Sequence, residues 1–161
     1  MCSRLLKRML LGAAAGLAGT VALQLLEMGK AQVAPDAEPP IKDPGPLMAR
    51  IALRRVPPHV RLRLPTATEE IIGTMLGLGY GATFGMIYSS AQSEAFNVVL
   101  DGTVLGIGCW AVGYLGWLPV SGLMPPIWEQ EPTQAITPVV EHVVYGIVTV
   151  AAYEALRHAL E

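Results

Sequence analysis

Apolar residues in this chain fall into four long blocks, Met9 to Met28, Ile71 to Ala91, Val98 to Leu118 and Val139 to Leu156. Each is near the ~20 residues that carry a helix across a hydrocarbon core about 30 Å thick. The pattern therefore predicts transmembrane helices over 9–28, 71–91, 98–118 and 139–156, within a single membrane domain covering residues 1–161. The expected fold class is all-α: an integral membrane four-helix bundle made of two tandem helical hairpins. For the first block a cleaved signal peptide competes, because Arg4, Lys7 and Arg8 precede it. The run is longer than a typical signal core and no small-x-small site follows near Lys30 to Ala34, so a retained helix is expected.

The second block is free of charge from Glu70 to Glu94 and places Gly73, Gly77, Gly81 and Gly85 at four-residue spacing. In a water-exposed helix each glycine costs about 1 kcal/mol against alanine. In lipid, where helices gain nothing from burying apolar surface against one another, repeated small residues let two backbones touch. At ~100° per residue, Gly12, Gly16, Gly19 and Glu27 share a face of the first helix; Gly102, Gly106, Cys109, Gly113 and Gly116 share one of the third. In the fourth helix the corresponding stripe is polar, His142, Tyr145, Gly146, Thr149 and Tyr153, and is expected to face the bundle. Tyr80, Gly81 and Tyr88 are echoed by Tyr145, Gly146 and Tyr153, and Gly12 and Gly16 by Gly102 and Gly106. Two hairpins running in the same sense imply a repeat axis along the membrane normal.

The one long polar stretch, 29–69, holds eight prolines and cannot be a continuous helix. Within it, 46–56 reads PLMARIALRRV. Leu47, Met48, Ile51 and Ala52 fall on one side and Arg50, Arg54 and Arg55 on another, as in a short helix lying at the lipid headgroups. The alternative is a solvated helix or a docking surface for another chain. A short link, Gln92 to Asn97, joins the second and third spans as in a helical hairpin. Pro119, Pro125, Pro126 and Trp128 lead into a fourth helix beginning near Pro138, with Tyr114, Trp117 and Trp128 expected at the membrane interface. Orientation stays open: loop cations outnumber those flanking the termini, whereas Arg4, Lys7 and Arg8 at the first helix favour the reverse.

Of the 161 residues 52% are hydrophobic and only 15% charged, against about a quarter charged in soluble domains. A net charge of -2 provides no basic field for nucleic acid. Cys2 and Cys109 are too far apart in the topology to pair, and no metal-ligand spacing surrounds them. Candidate chemistry comes from ionisable groups at one membrane side: Glu27, Glu69, Glu70, Glu141 and His142, with Gln24 a turn deeper. Three readings compete for them: interfacial residues in structural hydrogen bonds, a proton relay through His142 with Glu141 or Glu27, and a metal site, for which one histidine plus carboxylates is a thin set. Asp101, at the opposite end, is expected to pair with Arg4, Lys7, Arg8 or Arg157. Phosphate-cradling loops, GxSxG and HExxH are absent from the sequence, and a single histidine within the spans cannot supply two haem ligands. No catalytic residue, cofactor or metal is expected, and the chain is read as a non-enzyme.

The run GYLGWLPVSGLMPPIWEQEPTQAITPVVEHVVYGIVTVAAYEALRH resembles the YagU-like family of small bacterial inner-membrane proteins. Gly122, Leu123, Pro125 and Pro126 carry the resemblance, followed by His142, Tyr145 and Gly146 and a basic end at Arg157, over about residues 95–158. It implies a polytopic inner-membrane protein with, in one branch, a link to acid tolerance, and no established reaction. Gly77 stands where the repeat would put a partner of His142, so a two-histidine site is not available. The expected function is that of a structural or accessory subunit, contacting lipids and either larger integral membrane proteins or further copies of itself. Small-residue stripes and the basic 44–64 segment would serve as its contacts. The alternative is a small transport or proton-linked protein using Glu27, Glu141, His142 and Tyr145.

Overall fold

The computed structural model describes residues 2–33, 44–61, 65, 67–92 and 97–160, and no strand occurs among them. In chain order it contains α1 (Cys2–Val33), α2 (Pro44–Arg54), α3 (Pro58–Arg61) and α4 (Thr68–Ala91). Next comes α5 (Val98–Trp110), which continues through a π-helical stretch (Ala111–Trp117) into α6 (Leu118–Val120). A 3₁₀ turn (Ile127–Glu129) precedes α7 (Pro132–Leu160). Among the described residues four stretches are long and apolar enough to cross a membrane: Arg4–Lys30, Thr68–Ala91, Val98–Val120 and Pro132–Leu160. The chain is thus all-helical and of multi-pass membrane type. Its outer surface agrees: Leu10, Leu25, Met75, Val104 and Ile136 are each more than 60% exposed, a collar that would be a liability in water and suits lipid. Lys42, Arg63 and residues 93–96 of the short link lie outside the described residues.

Backbone proximity organises the packing. Helix α1 runs antiparallel to α4, α5 to α7, and α1 to α7, whereas α4 and α5 barely meet. A Cβ on Gly12 would collide with the carbonyl oxygen of Gly85, one on Gly16 with that of Gly81, and one on Gly85 with that of Gly12. In the second pair, Gly102 rests against Gly146 and Ile147, and Gly106 against the backbone of His142 and Val143. Gly19 brings α1 onto α7, where a Cβ would stand 2.8 Å from the Tyr145 carbonyl oxygen. The core holds few large aliphatic side chains; Ala15, Cys109, Leu118, Val150 and the rings of Tyr145 and Tyr153 fill it.

Three expectations change. Gly77 is not a packing glycine: a Cβ there would meet nothing within 4 Å, because α1 and α4 part beyond the level of Thr20 and Gly81. The glycine echo between the helix pairs is shifted by one turn, since Gly102 meets Gly146 and Ile147 as Gly16 meets Gly81 and Ala82. Helix α2 turns a different face inward: Gly45 and Ala49 are buried while Ile51 and Ala52 are exposed. The reason is again size, as Gly45 lies against the backbone of Gly73, 2.9 Å from a would-be Cβ to its carbonyl oxygen. An ion pair from Arg50 to Glu69 ties α2 to the start of α4.

Helix ends are secured locally. The Asn97 side chain accepts from the Val99 and Leu100 amides at 3.0 and 3.3 Å, capping α5. Lys7 reaches the Leu160 carbonyl and Arg8 the Gln92 carbonyl, so cations sit at the negative ends of α7 and α4. After α6 the chain reverses at Gly122, whose φ of 70° favours glycine. Pro138 lies buried inside α7, which starts earlier than the expected boundary, and its missing N–H leaves the Gln134 carbonyl without the usual helical donor.

Gly81→Leu should destabilise the bundle by roughly 3 kcal/mol or more, at the upper end of overpacking costs. Gly79→Leu, on an exposed position with nothing within 4 Å, should stay within about 0.5 kcal/mol of wild type. Unfolding in mixed micelles measures both, and equal values would mean that the ladder faces lipid. Asn97→Ala should cost about 1 kcal/mol in the same assay through loss of the cap.

Candidate functional site

Above the level where the glycine contacts end, the four long helices diverge and enclose a cavity of about 120 Å³. Helix α1 contributes Thr20, Leu23, Gln24 and Glu27 to its wall, and α7 contributes Glu141, His142 and Tyr145. From α4 come Gly73, Thr74, Leu76, Gly77, Tyr80 and Gly81, and α2 adds Gly45 and Met48. The remaining wall is Cys109, then Gly113, Tyr114 and Trp117 of the π-helical stretch, and Leu118. Glu27, Glu141, His142 and Tyr145, expected from the sequence to gather at one side, do line one space. Glu69 and Glu70, expected with them, do not: Glu69 is engaged by Arg50 and Glu70 is exposed.

Four polar wall residues are held in place by contacts to other helices or to their own backbone. The Tyr145 hydroxyl donates to the Gly81 carbonyl at 2.7 Å, a contact possible because Gly81 has no side chain in the way. Across the weak α4/α5 seam the Tyr80 hydroxyl donates to the Cys109 carbonyl at 3.0 Å. His142 Nδ1 lies 2.7 Å from the Pro138 carbonyl. A carbonyl only accepts, so Nδ1 carries the hydrogen. The imidazole also meets the Tyr114 ring edge-on at 5.6 Å. Glu141, 8% exposed, forms an ion pair with Lys30 from the end of α1. Buried carboxylates are costly unless a cation or donors compensate, and Lys30 supplies that compensation from the rim.

The π-helical stretch shapes the other wall. Seven residues, Ala111–Trp117, follow the wider winding, and Gly116 leaves helical geometry altogether (φ -101°, ψ -106°). Such segments frequently lie at functional sites. Tyr114 and Trp117 of this stretch line the cavity, while Trp128 is 80% exposed. Trp117 meets Tyr80 edge-on at 6.3 Å.

Sequence reasoning also missed Lys30, Tyr80 and Met48. Lys30 stands three positions from Glu27, one turn of helix away, so its reach towards the same rim was readable. Tyr80 shares a helical face with Gly77 at the same spacing. Asp101 accepts from the Tyr88 hydroxyl at 3.2 Å, a partner not foreseen when only cations were considered. Arg54 and Arg55 are exposed on and beside α2, while Arg50 is committed to Glu69. Among the described residues no group of three or more His, Cys, Asp or Glu side chains is placed to hold a metal ion.

Lys30→Met should destabilise the wild-type protein more than a Glu141→Gln background. The coupling should be about 1–3 kcal/mol in a double-mutant cycle measured by unfolding in micelles; a coupling near zero would mean that Glu141 does not depend on Lys30.

Comparison with known protein families, with curated proteins and with solved structures finds no match to this chain.

Proposed function

We propose that this chain is a small inner-membrane protein of transport or proton-linked type, without bond-making chemistry of its own, in which Glu27, Glu141, His142 and Tyr145 form the working site. One observation carries the reading: all four long helices contribute polar side chains to a single cavity inside an otherwise apolar bundle. Ionisable residues in such surroundings are expensive and mark ion or substrate pathways. The resemblance to YagU-like proteins, one branch of which is linked to acid tolerance, points the same way. The pairing of α1 with α4 and of α5 with α7 supports a tandem two-hairpin architecture. In that architecture α2, with Arg54 and Arg55 outward, is an interfacial helix contacting anionic headgroups.

An accessory-subunit role is the second reading. It loses its main surface here, because Gly12, Gly16, Gly81, Gly85, Gly102 and Gly106 are consumed by contacts within the chain. What favours it is the outer face of α2, where exposed Ile51 and Arg54 lie beside Arg55. That face would engage the acidic rim of a larger membrane partner or of a second copy.

Proteoliposomes carrying a pH-sensitive dye test the leading reading. Wild-type protein should speed proton equilibration well above empty vesicles, and His142→Ala or Glu27→Gln should reduce that rate by at least about ten-fold, the scale on which a positioned acid or base acts. Equilibration unaffected by either substitution would remove the idea and leave the accessory role.

A further inference from the structure

One part of the cavity wall differs from the rest. Helices α1, α4 and α7 and the run from α5 to α6 are each long enough to cross a membrane; α2, with 11 residues, reaches only about 16 Å. It still supplies Gly45 and Met48 to the wall. Its packing is on α4, near the start of that helix, where Gly45 meets the backbone of Gly73 and Arg50 pairs with Glu69. That is the end at which the four long helices have parted and Glu27 and Glu141 line the cavity. Helix α2 is therefore the wall element that can leave without dismantling the bundle.

The contact beneath α2 is smooth. Among its described residues those buried are Gly45 and Ala49, so its inward face carries little side chain. Uncovering them costs little, since the loss scales with the apolar area exposed. Between α1 and α4, and between α5 and α7, glycine contacts instead recur at successive turns. The charged fastening of α2 is weak as well: the Arg50 and Glu69 side chains are 54% and 32% exposed, and ion pairs so placed contribute little. Met48, half-buried, is the α2 side chain that lines the cavity, and an unbranched thioether fills an irregular opening without a fixed shape. Ile51 and Arg54 on the outer side are exposed, so lipid headgroups can hold α2 at the surface whether or not it rests on α4.

We propose that α2 is a lid on the cavity, with Met48 as its stopper and the Arg50–Glu69 ion pair as its latch. Parting of the pair lets α2 swing off Gly73 and opens the cavity to the headgroup side; re-forming it closes the wall. This deepens the proton-linked reading, because it names how access to the same cavity is controlled. Access is measured without a proton gradient, so either can fail alone. Proton movement with access that ignores the latch overturns only the lid, and access that follows the latch without proton movement overturns only the transport reading.

Cys109 is a built-in reporter, since it lines the cavity and is 2% exposed. With Cys2→Ser as background it is the one thiol of the chain. The protein is placed in lipid nanodiscs and treated with aminoethyl methanethiosulfonate at one fixed alkaline pH, and the adduct is followed by mass spectrometry. When closing outpaces modification, the labelling rate tracks the open population. The background protein should label far more slowly than the same chain unfolded in detergent. Arg50→Glu, which sets two carboxylates against each other, should speed labelling about five-fold or more, and Glu69→Gln at least about two-fold. Arg50→Glu combined with Glu69→Arg should return the rate to within about two-fold of background. Asn97→Ala, destabilising at the opposite end of the bundle, should leave the rate unchanged. If Arg50→Glu does not fold, Glu69→Gln decides. A background rate in either folded latch variant, no rescue by the charge swap, equal acceleration by Asn97→Ala, or background labelling as fast as in the unfolded chain would each overturn the lid.

Discussion

The bundle depends on backbone-to-backbone contact at seven glycines in one half of the membrane-spanning region. Gly12, Gly16, Gly81 and Gly85 draw α1 onto α4; Gly102, Gly106 and Gly146 draw α5 onto α7. Lipid offers these helices no reward for burying apolar side chains against each other, so what attraction there is comes from close dispersion contact and from hydrogen bonds. Carbonyl oxygens brought this near become acceptors for neighbouring hydroxyls. Tyr145 donating to Gly81 is one result, and it fixes a wall of the cavity.

The other half of the bundle is open because the two helix seams are unequal. In the proposed tandem two-hairpin architecture, α1 against α7 corresponds to α4 against α5. The first seam is closed, with Gly19 touching Tyr145 and Thr149, and the second is nearly empty. With the contact register that matches Gly16 to Gly102 and Gly81 to Gly146, the counterparts of Gly19 and Thr149 are Leu105 and Phe84. Two bulky side chains stand where the closed seam has a glycine and a threonine. Hydrogen bonds from Tyr80 and Tyr88 span this seam, and the cavity adjoins its Tyr80–Cys109 end. Unequal seams thus leave room for a polar chamber, and the π-helical stretch with its departure at Gly116 completes the wall.

Helices and their approximate limits were legible in the sequence because apolar block length answers directly to membrane thickness. The polar cluster was legible as well: Glu27, Glu141 and His142 had to come to one side once the spans alternated in direction. Rotation was harder. Glycine spacing reveals that a face is small but not which neighbour touches it, so Gly77 looked like Gly81 until α1 was seen to part from α4. For α2, hydropathy grouped Leu47, Met48, Ile51 and Ala52 on one side, whereas contact with Gly73 turned Gly45 and Ala49 inward beside Met48 and left Ile51 and Ala52 exposed. The π-helical stretch left no mark beyond two glycines, Gly113 and Gly116, and hydropathy does not encode that Tyr114 and Trp117 of this stretch line the cavity.

That stretch has a consequence for how the chain tolerates changes of length. A π-helical turn accommodates about one residue more than an α-helical turn over the same contacts. Ala111–Trp117 therefore holds a spare residue between the glycine-packed start of α5 and the Trp117–Leu118 wall. Loss of one residue here would let the segment relax to an ordinary α-helix, with the flanking contacts still in register. Loss of one residue in the first half of α5 would instead turn Gly102 off α7 by about 100°. Within a single span, one region is intolerant of insertion or deletion and the other is a reservoir of slack.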